Sequence, residues 1–222
     1  MSVYYVDDLV TLYHADCLEV TRWLEADVMV TDPPYGMSFR SGRDGAFKGD
    51  DVAGDESTGV RDDALSLWGE RPAIMFGRWS VPRPAGTRMV LTWDKGEHVG
   101  MGDLSLPWKP NTEEVYIIGK GFTGHRGGSV LRHHAIAGTV GQAAKDTRHH
   151  PTQKPVGLMA DLIAKCPPGV IADPFAGSGS TLVAAAALGR RAVGVEARAD
   201  YCEVIARRLS ESTLPFTLEE SA

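Results

Sequence analysis

The chain of 222 residues suits one domain, or one domain carrying a sizeable insertion. At 43% hydrophobic and 23% charged it can bury a core, which excludes overall disorder, and no apolar run approaches the roughly 18 residues of a membrane span. A net charge of -6 excludes an evenly basic protein that coats nucleic acid, so any affinity for a polyanion must be local.

The elements are read in chain order from periodicity and breakers. Leu9 to Tyr13 is a short apolar strand, and Cys17 to Glu25 has helical spacing through Val20, Trp23 and Leu24. The segment DVMVT, Asp27 to Thr31, is a second strand that Pro33-Pro34 ends abruptly. Residues 36 to 60, rich in Gly, Asp, Ser and Arg, read as a mobile loop, and Asp62 to Glu70 as a short helix. Ile74 to Phe76, Arg88 to Trp93 and Glu114 to Ile118 read as strands. Gly157 to Cys166 is helical, Val170 to Ala172 a buried strand, Thr181 to Leu188 an Ala-rich helix and Ala192 to Val195 a strand. A last helix is expected to take Asp200 as its cap, with Glu203 three residues on, and to bury Cys202, Ile205 and Leu209. The tail after Ser210 is expected to fray. Strands alternating with helices predict an α/β sandwich with a largely parallel sheet.

Charge is unevenly spread. Lys120 to Lys154 holds Lys120, Arg126, Arg132, Lys145, Arg148 and Lys154 against Asp146 alone, so the segment is +5 and the rest of the chain -11. Such an island reads as a footprint for a polyanion, against the plain alternative of a solvated loop with counter-charges nearby. His133-His134 and His149-His150 lie in it, but without acidic or Cys ligands beside them they predict no metal. Cys17, Cys166 and Cys202 are odd in number and widely spaced, against both a disulfide framework and a zinc site. The N-terminus MSVYYVDDLV lacks the pattern of a secretory signal, so a reducing cytoplasm is the expected compartment.

Two motifs carry the chemistry. Ile171 to Thr181, IADPFAGSGST, is a strand, a glycine turn and a helix start. Gly177 and Gly179 let the backbone approach a ligand, and Ser180 and Thr181 are expected to cap the helix whose positive end faces it. Leu182 stands where a dinucleotide fingerprint needs its third glycine, and no Gly-Lys-Ser/Thr is present for a phosphate loop. Glu196, 23 residues beyond Asp173 and directly after the next strand, is placed to bind ribose hydroxyls. The pair reads as an adenosine-ribose site without a pyrophosphate. Only 41 residues follow Thr181, so the other strands must come from upstream and the order is circularly permuted.

The second motif is Asp32-Pro33-Pro34-Tyr35 at the end of DVMVT, on the carboxyl edge of a parallel sheet. The two prolines remove backbone donors and leave carbonyls free. Asp32 adds an acceptor and Tyr35 a flat face, a set suited to a planar base with an exocyclic NH2. On stacking alone, Tyr35→Phe is expected to be mild and Tyr35→Ala damaging.

DPPY, then HPTQKP (150–155), then DPFAGSGST, in that order, resembles the β group of amino-methylating DNA methyltransferases over about Val10 to Leu209. The resemblance implies a circularly permuted Rossmann-like fold, with helices on both faces of a mostly parallel sheet, over one domain spanning 1–222. It implies a methyl transfer from S-adenosylmethionine to adenine N6 or cytosine N4 in DNA. Asp173, Phe175, Gly177, Ser178 and Gly179 would form the cofactor loop and Glu196 would hold the ribose. Asp16 and Cys17 would meet the cofactor's adenine, and Thr152 and Lys154 its methionine end. Asp32, Pro33, Pro34 and Tyr35 would hold the target base, with adenine favoured because the family's adenine members mostly carry Asp where Asp32 stands. The basic island falls where the family places target recognition, here a small insertion of about 120–149, which makes Arg126, Arg132 and Arg148 candidates for DNA contacts. Double-stranded DNA is the expected partner, with a homodimer and a cognate restriction endonuclease as further candidates. Amine methylation of RNA or protein, and a non-catalytic DNA-binding module, are the competing readings. Glutamine methyltransferases carry the two motifs in the reverse order.

Overall fold

A computed structural model describes residues 2–35, 58–97, 102–134 and 153–212. Its centre is a nine-stranded mixed sheet in the order β1-β2-β9-β8-β3-β4-β6-β5-β7. The strands are β1 (Ser2–Val6), β2 (Val10–His14), β3 (Val28–Thr31), β4 (Ala73–Gly77), β5 (Thr87–Asp94), β6 (Thr112–Ile118), β7 (Val130–Arg132), β8 (Ile171–Asp173) and β9 (Ala192–Glu196). Helices α1 (Gly59–Trp68), α2 (Val156–Ile163), α3 (Ser180–Ala187) and α4 (Ala199–Ser212) accompany them. β2, β9, β8, β3 and β4 are mutually parallel, and β1 and β6 run against the rest.

The strands at the centre read as unbroken apolar runs because both faces are covered. Every residue of β3, β4, β8 and β9 is buried. Alternation assigns the faces. Val28, Val30, Ile74 and Phe76 share one core with Leu158, Leu162, Leu182, Ile205 and Leu209, so α2, α3 and α4 cover that side. Met29, Ala73 and Met75 point the other way, into a core with Trp23, Ala64 and Trp68, so α1 covers that side. The Trp23 and Trp68 rings stack there at 5.8 Å, with the Arg71 guanidinium 3.6 Å above Trp68. Cys202, Ile205 and Leu209 form the buried stripe expected of the last helix. The three cysteines are unpaired, and burial pushes each thiol up to about 12. No described helix is long and apolar enough to cross a membrane.

Six local expectations change. Residues 17–25 form only a 3-10 turn, Arg22–Glu25. The Asp16 side chain takes the Leu18 N–H, and the Trp23 indole must donate to the Cys17 carbonyl at 2.8 Å, so a regular helix gives way to an anchored loop. β1 is an additional edge strand whose side chains are mostly exposed, which leaves no alternation to detect. The last helix starts at Ala199, so Asp200 lies inside its first turn paired to Arg198 and does not cap it. Gly179, with φ +79, is the N-cap of α3, and neither Ser180 nor Thr181 caps it. α1 begins at Gly59, so the loop expected over 36–60 ends earlier; residues 36–57 lie outside the described residues. The basic segment is in part a strand, since β7 pairs in parallel with β5.

Between β3 and β8 the chain leaves in opposite directions: β3 leads through α1 to β4, and β8 leads through α3 to β9 on the other side. Their carboxyl ends therefore open a crevice at a topological switch point, where ligands bind in open α/β sheets.

Candidate active site

Both sequence motifs end at this crevice. β8 delivers Asp173 and the glycine turn, while β3 delivers Asp32 to Tyr35. The Thr31 hydroxyl donates to Asp173 Oδ1 at 2.7 Å and ties the two strand ends together. Thr181 also bonds the Asp173 carboxyl, so that hydroxyl locks the loop instead of capping the helix. Burial raises Asp173 to about 6, against the pull of those hydroxyls and the Phe175 N–H. Ser180 donates to the Lys154 carbonyl at 2.8 Å, and Arg208 donates to the Ser178 carbonyl.

Glu196 closes the loop from β9. Its Oε2 accepts the Gly177 N–H at 2.8 Å and its Oε1 the Arg198 N–H at 2.9 Å. A carboxylate has about four acceptor sites, so two remain for a diol. The Ala15 N–H donates to the Glu196 carbonyl, which sets Asp16 and Cys17 beside this carboxyl group. The two glycines serve different ends. A Cβ on Gly179 would come within 2.9 Å of Ile205, so that glycine is needed for packing. A Cβ on Gly177 would meet nothing nearer than the Phe175 carbonyl at 4.0 Å, so the space above it is open. An open cradle beside an acceptor with spare lone pairs fits a nucleoside ribose.

Burial raises Glu196 to about 7. The folded state therefore holds its proton more tightly than the unfolded chain, whose carboxyl titrates near 4.5. Its stabilising contribution is full below 4.5 and is lost as pH rises through about 7. A ribose diol held there would need the opposite, a carboxylate. Thermal melts of the unliganded protein should thus show Glu196→Gln gaining on the wild type between pH 5 and pH 8. Titration calorimetry should show wild-type cofactor affinity rising over the same interval, and a flat profile for Glu196→Gln.

The other half of the site is built on charge. Lys154 Nζ lies 2.6 Å from Asp32 Oδ2 and 3.1 Å from Glu113 Oε2, which sets it against the DPPY turn. Lys95 Nζ is 3.2 Å from Glu113 Oε1. A chain of alternating charge, Asp32, Lys154, Glu113, Lys95, runs along the carboxyl edge from β3 to β5. The Lys154 ammonium also lies 5.0 Å from the Phe76 ring centre, 5.8 Å from Trp93 and 5.9 Å from Tyr35. Burial pushes Asp32 up despite Lys154, and the Glu113 charge adds to the rise. Burial opposes the charge on Lys154, but Asp32 and Glu113 outweigh it and raise its pKa. Glu113 is pushed up by burial yet ends lowered, because Lys154 and Lys95 both face it.

Tyr35 donates to Asp32 Oδ1 at 2.5 Å, a role that stacking alone did not predict. Tyr35→Phe is therefore expected to cost about tenfold in kcat, the scale of one hydrogen bond to a charged group, and not to be mild. Steady-state rates of Phe and Ala variants side by side check this; a Phe variant within twofold of wild type would restore the stacking-only view.

Glu113, Lys95, Phe76 and Trp93 were not singled out from sequence. Glu113 is one of two adjacent glutamates at the start of a strand, and only the antiparallel insertion of β6 beside β4 brings it to Asp32. Arg126 and Arg132 are exposed, whereas Arg148 and Thr152 lie outside the described residues.

A Rossmann-like sheet in permuted order, with a glycine loop and a DPPY turn meeting at its switch point, defines a methyltransferase of the amino-methylating class. A DNA methylase profile, that of the N6/N4 methyltransferases, matches residues 78–207, and the chain belongs to this family. YubD of Escherichia coli K12 is 28% identical over 203 residues, covering 88% of each chain. Among solved structures, the M1.HpyAVI–SAM complex superposes with a TM-score of 0.62 at 20% identity, covering 90% of this chain and all of that one. The cytosine-N4-specific PvuII DNA methyltransferase superposes with a TM-score of 0.66 at 14% identity, covering 97% and 90%.

Proposed function

We propose that the protein methylates the N6 amino group of adenine in double-stranded DNA, with S-adenosylmethionine as donor. The observation that carries this reading is the join at the crevice, where Thr31–Asp173 couples an adenosine-type loop to a turn whose Asp32 is an acceptor for an amine. When bound, S-adenosylmethionine supplies a sulfonium methyl group that needs no further activation. Glu196 and the Gly177 backbone would hold its ribose, with Asp16 and Cys17 at its adenine.

The protein's task is to prepare a poor nucleophile. An aromatic amine delocalises its lone pair into the ring, so it must be turned towards sp3 geometry and aimed. N–H donation to Asp32 and to the Pro33 carbonyl does both, by orientation and electrostatics. Pro34 stiffens the turn. After attack the alkylated amine is acidic, and Asp32 is at hand to accept its proton. Inside a duplex the amine is out of reach, so the base is turned out of the stack, at a few kcal/mol, towards Asp32 and Tyr35.

The loops leaving this edge support DNA as the substrate. Trp79, Leu104, Leu106 and Trp108 project exposed from the segments after β4 and between β5 and β6, an unusual outlay of apolar surface around a polar crevice. The exposed Arg126 and Arg132 supply positive charge for phosphates.

Adenine is chosen over cytosine because Asp32, and not Ser, occupies the turn, as in most adenine members of the family. Methylation of unmodified duplex DNA with labelled S-adenosylmethionine, followed by nucleoside analysis, tests the reading. N6-methyladenine is expected. N4-methylcytosine would keep the mechanism and overturn the choice of base, and labelled cofactor binding without DNA product would overturn the substrate.

A further inference from the structure

Both oxygens of the Asp32 carboxylate are already engaged, Oδ1 by the Tyr35 hydroxyl and Oδ2 by the Lys154 ammonium. An incoming amine must therefore take the place of one of these donors. Lys154 resembles the amine it would yield to: a nitrogen bearing N–H donors, held against Asp32 among aromatic rings. An ammonium released there cannot go to water, because its side chain is only 6% exposed. It needs a second acceptor within a short swing.

Glu113 offers one. Its Oε2 is sealed from solvent and, among the described residues, accepts no hydrogen bond. Lys154 Nζ lies 3.1 Å from it, an ion-pair distance but longer than the 2.6 Å to Asp32 Oδ2. The other oxygen, Oε1, is paired with Lys95. Glu113 Oε2 thus holds the same ammonium that guards Asp32, at the longer of the two distances and without a full hydrogen bond. A buried acceptor short of a full hydrogen bond is costly in a resting structure, and one whose bond is completed during turnover has a reason to persist.

We propose that Glu113 is a positioning residue for methyl transfer: it takes over the Lys154 ammonium when the target amine displaces Lys154 from Asp32. This rests on the proposed DNA amino-methylation at the same turn. In the resting site Lys154 keeps Asp32 charged and oriented. When the amine arrives, Lys154 completes its bond to Glu113 Oε2, and Asp32 Oδ2 is free to accept the N–H. The incoming amine is neutral, so the exchange shifts the ammonium from Asp32 to Glu113 and leaves the total charge of the network unchanged.

Charge-neutral Glu113→Gln leaves Lys154 with Asp32 as its one anionic partner in the network, which makes it harder to displace. With full-length protein, S-adenosylmethionine and a duplex carrying the site identified by sequencing the methylated product, Glu113→Gln should lower kcat by about 10-fold or more. The dissociation constant for the cofactor should stay unchanged. A duplex with 2-aminopurine at the target position, which lacks the N6 amine, should fluoresce as with wild type, since turning out the base does not require the exchange. Removing the lysine as well, in Glu113→Gln/Lys154→Gln, should recover part of the lost rate; should that variant not fold, Glu113→Asp should retain most of the wild-type rate. A Glu113→Gln enzyme within twofold of wild type overturns the proposal, as does a parallel loss of the 2-aminopurine signal, which would mark a structural role. Wild-type protein that places no methyl on DNA overturns the functional reading and this inference with it.

Discussion

Replacing Asp32 with Ala is expected to lower kcat for DNA methylation on the order of 10^3-fold while cofactor binding persists. The separation follows from the architecture. Asp32 leaves β3, whereas the cofactor loop leaves β8 and is closed by Glu196 from β9 and by Arg208 from α4. Neither closure passes through Asp32. In the proposed function, what Asp32 supplies is the acceptor that turns and aims the amine. It also supplies half the pairing of Lys154, so Asp32→Asn is the cleaner variant, keeping shape and Tyr35 contact while losing the charge. Single-turnover methylation and calorimetric titration of the cofactor check both halves. Loss of cofactor binding in Asp32→Asn would mean that the two half-sites are one, and full methylation by Asp32→Ala would remove the DPPY turn from the chemistry.

Lys154→Met is expected to be the most destabilising single change at the site. The ammonium is held by two carboxylates, and its removal leaves Asp32 and Glu113 facing each other with, among the described residues, Lys95 as the cation paired to Glu113. Breaking a buried ion pair from one side typically costs about 3–5 kcal/mol. The cost should depend on pH with a definite sign. Asp32, already raised by burial, loses the charge that lowers it, so its folded-state pKa rises further above the unfolded value. The penalty is then smallest at acid pH, where the carboxyl is neutral in both states, and grows as pH rises. Urea unfolding at pH 5.5 and pH 8 should show the difference from wild type widening at the higher value. A constant difference would mean that the lysine contributes packing through its stem on Phe76 and Trp93 and little charge.

The contrast with removing Lys154 and Glu113 together is instructive. That double change deletes one charge of each sign, and such neutral deletions are far better tolerated than half of one. The same reasoning explains why the site can hold four charged groups at a crowded edge: they alternate in sign, and each carboxylate meets at least one ammonium.

Much of the site was legible because its parts are local. DPPY and DPFAGSGST are runs of adjacent residues, and the backbone needs of a stiff turn or a glycine cradle are written in side chains within a few positions. Glu196 was legible for the same reason, since a strand of known length puts a carboxylate at a known distance from a glycine loop. Apolar runs such as VMVT and AIMF announced central strands because both faces of this sheet are covered. Where an element has no buried face of its own, as in β1, or is overridden by one anchored side chain, as at Trp23, periodicity misled.

The sequence by itself determined the class of fold, the permuted order of its motifs and the chemistry each motif can perform, because these follow from short-range covalent and steric rules. Only the tertiary structure decided what the motifs do to one another. The family resemblance places Lys154 near the cofactor's methionine end, and only the folded chain shows that its ammonium also lies on Asp32, 122 residues away in the chain. Glu113 is an ordinary strand residue until β6 inserts antiparallel beside β4. Ion pairs across a sheet edge depend on strand order, and strand order is set by the packing of the whole core on both faces, which no local stretch of residues encodes.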